Sequence, residues 1–231
     1  MTGPSIIEAL QAVPPGTKMN KLLKLITTAA LVAVISGCAQ QKPAGPPTKW
    51  GFIDKQGKFI ILPQFDGASE FTKDGAIVLN GKRLMRLQPE TFVESSLPVG
   101  PEDKAELPPT PTFKCAEAGP DKYKVLDGEE VIFEAGSGKE PPAALTDTGF
   151  LCAQFGSKYG YIDKDGKLAF GRPFDQARPF SQGRAAVLES GKWGFINKKG
   201  DFVLKPIYLE AGSFHSGLAP VKVLGDAPPP Q

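Results

Sequence analysis

Histidine is almost missing from this sequence. His215 is the only one, which excludes histidine-based metal clusters and any mechanism needing two imidazoles. Net charge is also nearly absent, 27 Lys and Arg against 25 Asp and Glu, so no general basic surface exists for nucleic acid. Long apolar runs are lacking. The longest, residues 25–35, has 11 positions and includes Thr27 and Thr28, too short for an ordinary membrane span. Cysteine is scarce, with Cys38, Cys115 and Cys152. The stretch Gly136-Ser137-Gly138-Lys139 is no phosphate loop, because the following Ser/Thr and the glycine six residues before the lysine are missing.

Glycine and proline are plentiful, 26 and 23 of 231 residues. They disfavour long helices and favour turns, short strands and linkers. The N-terminal region has its own layout. Met19 is followed by Lys21, Lys24, the apolar run and Ile35-Ser36-Gly37-Cys38, the order of a secretory signal. Ile-Ser-Gly-Cys resembles the lipobox of bacterial lipoproteins. The resemblance implies a lipidated Cys38 as the first mature residue, a leader over 1–37 with its true start at Met19, and a membrane anchor through acyl chains. Residues 38–48 read as a tether containing Pro43, Pro46 and Pro47. Ala39 rather than Asp after the cysteine implies, by the same resemblance, an outer-membrane address facing the periplasm in a Gram-negative host. Without the leader, positive and negative residues number 24 each, so a charged partner must be met by a local patch.

An internal repeat fills the rest. Lys49-Trp50-Gly51-Phe52-Ile53-Asp54, Lys158-Tyr159-Gly160-Tyr161-Ile162-Asp163 and Lys192-Trp193-Gly194-Phe195-Ile196-Asn197 align without a gap. The match continues through Gly57, Gly166 and Gly200, then Phe65, Phe174 and Tyr208, then Ala68, Ala177 and Ala211, then Phe71, Phe180 and Phe214. A period of this size signals stacked supersecondary units. Clear units span 49–83, 158–191 and 192–223. Lys82 and Lys122 open two degenerate units within 84–157, giving five in all over a domain of 49–224. A Pro-rich stretch between them reads as an exposed loop or insert, and residues 225–231 as a disordered tail. These residues resemble the WG-containing (KWG) repeat family, which implies a β-rich array with no general catalytic activity.

Within a unit, Trp50 and Phe52 share one strand face. Residues 54–57 read as a tight turn capped by the Asp side chain, with Gly57 left-handed. Residues 58–62 form the return strand, Pro63 ends it, and residues 76–79 form a third strand. The fold class expected is all-β, a tandem array of short antiparallel three-stranded units, open or gently coiled, with a closed propeller-like toroid as the alternative. The recurring aromatics read as core between units rather than a binding groove. Asp54 and Asp163 read as turn residues, because their third counterpart is Asn197. Cys115 and Cys152 sit at similar distances before Lys122 and Lys158, and export favours a disulfide between them.

No cofactor, metal site or catalytic residue is expected. The leading functional reading is a lipid-anchored envelope protein that binds a protein, peptide or cell-wall polymer, not nucleic acid. A peptidoglycan- or carbohydrate-directed hydrolase using carboxylates of the insert is the alternative, and a spacer without a ligand is the third.

Overall fold

The computed structural model describes residues 46–89, 91–95, 98–138 and 140–225. Cys38 and the leader, together with residues 226–231, lie outside them. The described chain is nearly all-β. Unit 1 supplies β1 (Thr48–Ile53), β2 (Phe59–Phe65), β3 (Gly67–Ala68) and β4 (Ala76–Asn80). Unit 2 supplies β5 (Arg83–Leu87) and β6 (Lys114–Gly119). Unit 3 gives β7 (Lys122–Asp127), β8 (Glu130–Glu134), the helix α1 (Ala143–Thr148) and β9 (Leu151–Phe155). Unit 4 gives β10 (Lys158–Ile162), a 3-10 turn at Ala169–Gly171, β11 (Gln176–Ala177) and β12 (Ala185–Glu189). Unit 5 gives β13 (Lys192–Ile196), β14 (Phe202–Tyr208), β15 (Glu210–Ala211) and β16 (Ala219–Leu224).

Sheets do not coincide with units. Sheet I is β3-β4-β5, sheet II is β15-β16-β1-β2, sheet III is β11-β12-β13-β14, and sheet IV is β10-β9-β6-β7-β8. Sheet III thus takes the last two strands of unit 4 and the first two of unit 5. Sheet II does the same with the last and first units of the chain: β16 pairs antiparallel with β1 from Ala219↔Ile53 to Leu224↔Thr48. The N–H of Gly225 donates to the carbonyl of Pro47 at 2.6 Å, so the two ends of the domain meet. Sheet IV joins two partial sets through a short parallel contact of β6 with β9, at Lys114↔Gln154.

Hydrophobic clusters connect the sheets in the order I, II, III, IV. Trp50, Phe52, Phe65, Phe71 and Val78 fill the space between sheets I and II. Phe195, Tyr208, Phe214 and Val221 lie between II and III. Tyr161, Phe174, Phe180 and Ile196 lie between III and IV. A fourth cluster, around Val125, Phe133 and Leu145, covers β7 and β8 with α1. In space the units therefore run 3-4-5-1-2, except that unit 2 is split, with β5 in sheet I and β6 beside unit 3 in sheet IV, and no sheet closes into a barrel among the described residues. Of the recurring aromatics only Tyr159 is half-buried. Trp50, Phe52, Phe65, Phe71, Tyr161, Phe174, Phe180, Trp193, Phe195, Tyr208 and Phe214 are all buried. They are core, as their recurrence predicts.

The turn chemistry follows the sequence. The Oδ1 of Asp54 accepts from the N–H of Gln56 and of Lys58, both at 2.9 Å. Asp163 and Asn197 repeat the pair of bonds. Gly57, Gly166 and Gly200 have φ of 86°, 74° and 87°, the left-handed conformation that glycine tolerates best. The glycine of each Trp-Gly pair answers a different demand. A Cβ on Gly194 would lie 2.7 Å from the carbonyl oxygen of Leu204 and 2.8 Å from the nitrogen of Pro206. Gly51 meets Ile61 and Pro63 in the same way.

Three expectations are corrected. Pro63 does not end the return strand. β2 continues to Phe65 through a bulge, shown by the register step from Phe52↔Ile61 to Trp50↔Phe65, a place where a strand accepts proline. The helix α1, over Ala143–Thr148, is not foreseen by the all-β reading. And Cys115 and Cys152 are free thiols, not a disulfide. The register of β6 on β9 sets Cys115 level with Phe155, three residues from Cys152. That offset is about 10 Å along the strands and turns the two side chains to opposite faces. Accordingly Cys152 packs in the III–IV cluster and Cys115 against the cluster of β7 and β8. Burial pushes the Cys115 thiol up to about 12 and raises that of Cys152 as well, leaving both unreactive at neutral pH.

Candidate functional site

After its short third strand, each clear unit makes a loop that returns through a narrow turn. The turns close at Thr72↔Gly75, Ser181↔Arg184 and His215↔Leu218. Counted from each unit's first lysine, Ser69, Arg178 and Gly212 are equivalent. So are Glu70, Pro179 and Ser213, and so are Thr72, Ser181 and His215. Because the units stack, these variable positions converge.

The loops are bonded in series. From unit 4, Arg178 donates its Nε to the carbonyl of Ala211 at 2.8 Å. Ser181 donates its hydroxyl to the carbonyl of Phe214 at 2.5 Å. Gln182 accepts from the N–H of Gly217 at 2.9 Å. From unit 5 to unit 1, the N–H of Ser213 donates to Glu70 Oε1 at 2.5 Å, and His215 Nε2 lies 3.3 Å from Glu70 Oε2. Burial alone would raise the Glu70 carboxyl. The bonds from His215 and Ser213 outweigh it and hold the group below its ordinary range. In return Glu70 raises the His215 imidazole.

The insert crosses this loop cluster. It is not the free exposed loop expected of so many prolines. Arg178 Nη1 donates to the carbonyl of Pro108 at 2.7 Å. Leu107 packs against the I–II cluster and lies where a Cβ on Gly212 would sit, 2.8 Å away. The carbonyl of Ala105 takes the equivalent place at Gly67. Arg86 donates its Nη2 to Asp103 at 2.5 Å, which ties the strap to β5. Proline removes the N–H needed for a ladder but leaves the carbonyl as an acceptor, and the strap is held through its carbonyls.

The strap divides the space over the loops into two hollows. One, of about 580 Å³, has Glu70, Arg86 and Asp103 in its wall. The other, of about 340 Å³, is walled by Glu70, Arg178, Phe180, Ser181, Ser213 and His215, with Pro108, Pro109 and Pro111 of the strap. Glu70, Pro108 and Pro109 border both.

The residues singled out by sequence fall elsewhere. Trp50, Gly51, Gly57, Tyr159, Gly160, Gly166, Trp193, Gly194 and Gly200 serve packing and turns. Of the acidic residues that could serve a hydrolase, Glu129 and Asp165 are exposed on hairpin turns and Glu130 is exposed at the start of β8. Among the described residues no group of His, Cys, Asp and Glu is placed to hold a metal ion, and no helix is long and apolar enough to cross a membrane. His215 had been noted only as the solitary histidine. Its partner Glu70 carried one usable signal, that both sit in the same variable loop of the repeat. A second signal was overlooked. Lys49 pairs with Asp66 at 2.6 Å and Lys158 with Asp175 at 2.9 Å, each seventeen residues apart. The spare oxygens of Asp66 and Asp175 cap the turns at Gly81 and Ser190.

The fold and its loops define a β-repeat protein, in which units of one pattern stack and their loops differ. The family model described as WG containing repeat matches the chain at three places, residues 50–83, 159–193 and 193–225. No curated protein and no solved structure matches it.

Proposed function

We propose that this chain is a lipid-anchored binding protein of the bacterial cell envelope, with acyl chains on Cys38 and a repeat domain that holds a partner at its loop cluster. The observation that carries the binding half of this reading is the convergence of Glu70, Arg178, Ser181 and His215 around the smaller hollow. Variable loops on a rigid repeat scaffold are where such proteins place recognition. The aromatic positions shared by the units are spent on the core, so the specific chemistry lies in what differs between units.

Glu102, Asp103 and Glu106 of the strap border the larger hollow beside Glu70, and this convergence of carboxyls is what favours the second reading, a hydrolase. Against it, Asp103 is paired with Arg86, and Glu70 with Ser213 and His215. The partner classes that suit the reading are an envelope protein, a peptide or a cell-wall polymer.

The anchor rests on the Ile35-Ser36-Gly37-Cys38 pattern behind its apolar run, and two or more acyl chains make a stable attachment. Cys38→Ala is expected to move the protein from the membrane fraction to the soluble fraction and to abolish acyl labelling. A variant that stays in the membrane and stays labelled would refute the anchor.

A further inference from the structure

We infer that the smaller hollow takes a whole dipeptide, with Arg178 receiving its carboxylate and Glu70 its amino group. The inference rests on the reading of the loop cluster as a binding site and adds the ligand's chemistry. Arg178 is only 5% exposed, yet it has no ion-pair partner among the described residues. Its Nε and Nη1 go to the carbonyls of Ala211 and Pro108, and Nη2 makes no hydrogen bond among the described residues. A guanidinium carries five N–H donors. Glu70 and Glu210 act on that of Arg178 from beyond salt-bridge distance, and it lies 5.5 Å from the centre of the Trp193 ring. The side chain borders the hollow, so an incoming carboxylate supplies a contact ion pair and takes up the unused donors.

Glu70 supplies the opposite charge in the same hollow. Each of its oxygens holds one partner, Ser213 N–H or His215. A carboxylate has about four acceptor sites, which leaves room for an ammonium. Ser181 borders the space as a further polar group, while Phe180 and Pro109 give it apolar walls. A volume of about 340 Å³ is at the small end for organic ligands, which suits a dipeptide rather than a long polymer. One guanidinium and one carboxylate against apolar walls match a zwitterion better than a neutral sugar or a polyanion.

The single histidine makes the test direct, because the imidazole of His215 gives one resonance. Alanyl-alanine added to the unaltered protein, up to about 10 mM, is expected to shift that resonance saturably. Its C-terminal amide is expected to bind at least about tenfold more weakly, the loss expected of a charged hydrogen bond. The N-acetylated dipeptide tests Glu70 in the same way. Arg178→Gln, checked for folding by circular dichroism, is expected to remove the difference between acid and amide. An equal response to acid and amide, or no response to any of the three, would overturn the inference, and neither result depends on a variant that folds. Recovery of an envelope partner that requires the loop cluster, alongside either result, would leave the binding reading standing and remove this one alone.

Discussion

At the scale of residues, the glycine of each Trp-Gly pair is a packing device. The return strands β2 and β14 bulge at Pro63 and Pro206, and the bulge presses backbone atoms against Gly51 and Gly194. At Gly194 the obstruction to a side chain is backbone, at 2.7 to 2.9 Å, and backbone has no rotamer by which to escape. Gly194→Ala is therefore expected to cost about 1–3 kcal/mol, the range for overpacking. Gly100 in the strap has ordinary φ and no neighbour nearer its Cβ position than Asp103 at 3.7 Å. There Gly100→Ala is expected to be neutral or stabilising by up to about 1 kcal/mol, through the unfolded chain. Urea denaturation of both variants checks the contrast, and equal losses would remove the packing account.

Between elements, the loop of unit 5 is tied to the loop of unit 1 by His215 and Glu70, and the tie depends on pH. The folded pKa of His215 is raised above its ordinary value of 6.5, mainly by its bond to Glu70. Its contribution is full below the unfolded value and is lost as pH rises through the folded one. Glu70 is lowered from 4.5 against the opposing effect of its burial, by His215 and Ser213. Its contribution is present above the unfolded value and is lost as pH falls through the folded one. The two overlap fully between about pH 4.5 and 6.5. Raising pH from about 5.5 to about 8.5 is expected to lower the melting temperature, and Glu70→Gln is expected to shrink that fall. An unchanged pH profile in the variant would show that the pair contributes nothing to stability.

The legibility of these elements was uneven for physical reasons. Lys49, Trp50, Gly51 and Asp54 each carry a local demand, so strand, bulge and turn show in the string. The aromatic core shows because all units need it. The strap at 98–111 does not, because its prolines announce only that no ladder forms. Nothing in them says that Pro108 meets Arg178 seventy residues on. The cysteines misled for a related reason. Cys115 and Cys152 occupy similar places before successive units, but β6 and β9 meet in parallel with an offset of three residues, and sequence spacing holds no information on that register. Glu70 and His215 became a pair only when unit 5 was seated on unit 1.

The whole molecule follows from how units share sheets. When each sheet needs two strands from one unit and two from the next, a linear array is left with half a sheet at each end. Among the described residues, β1 and β2 of the first unit have no preceding unit to complete their sheet, and β15 and β16 of the last have no following one. Each half carries an open edge and an uncovered apolar face, and joining them resolves both. β16 on β1 is that join, and it brings Pro47 and Gly225 to hydrogen-bonding distance. Chain order and spatial order then differ by a rotation of the units, with the insert inside unit 2 linking β5 of sheet I to β6 of sheet IV. A circular permutant is the test. A short linker from residue 225 to residue 47, with new ends opened between Gly100 and Pro101, keeps all sixteen strands and cuts only exposed backbone. Gly100 does donate its N–H to the Asp103 carboxylate at 2.7 Å and accepts from the Asp103 N–H at 3.2 Å, so two surface bonds are at risk. The permutant is expected to retain the β circular dichroism spectrum and cooperative unfolding, with stability within about 2 kcal/mol of the parent. A permutant that fails to fold, beside a parent cut at the same bond that does fold, would mean that the ends are not neighbours and that sheet II is not closed by β1 and β16.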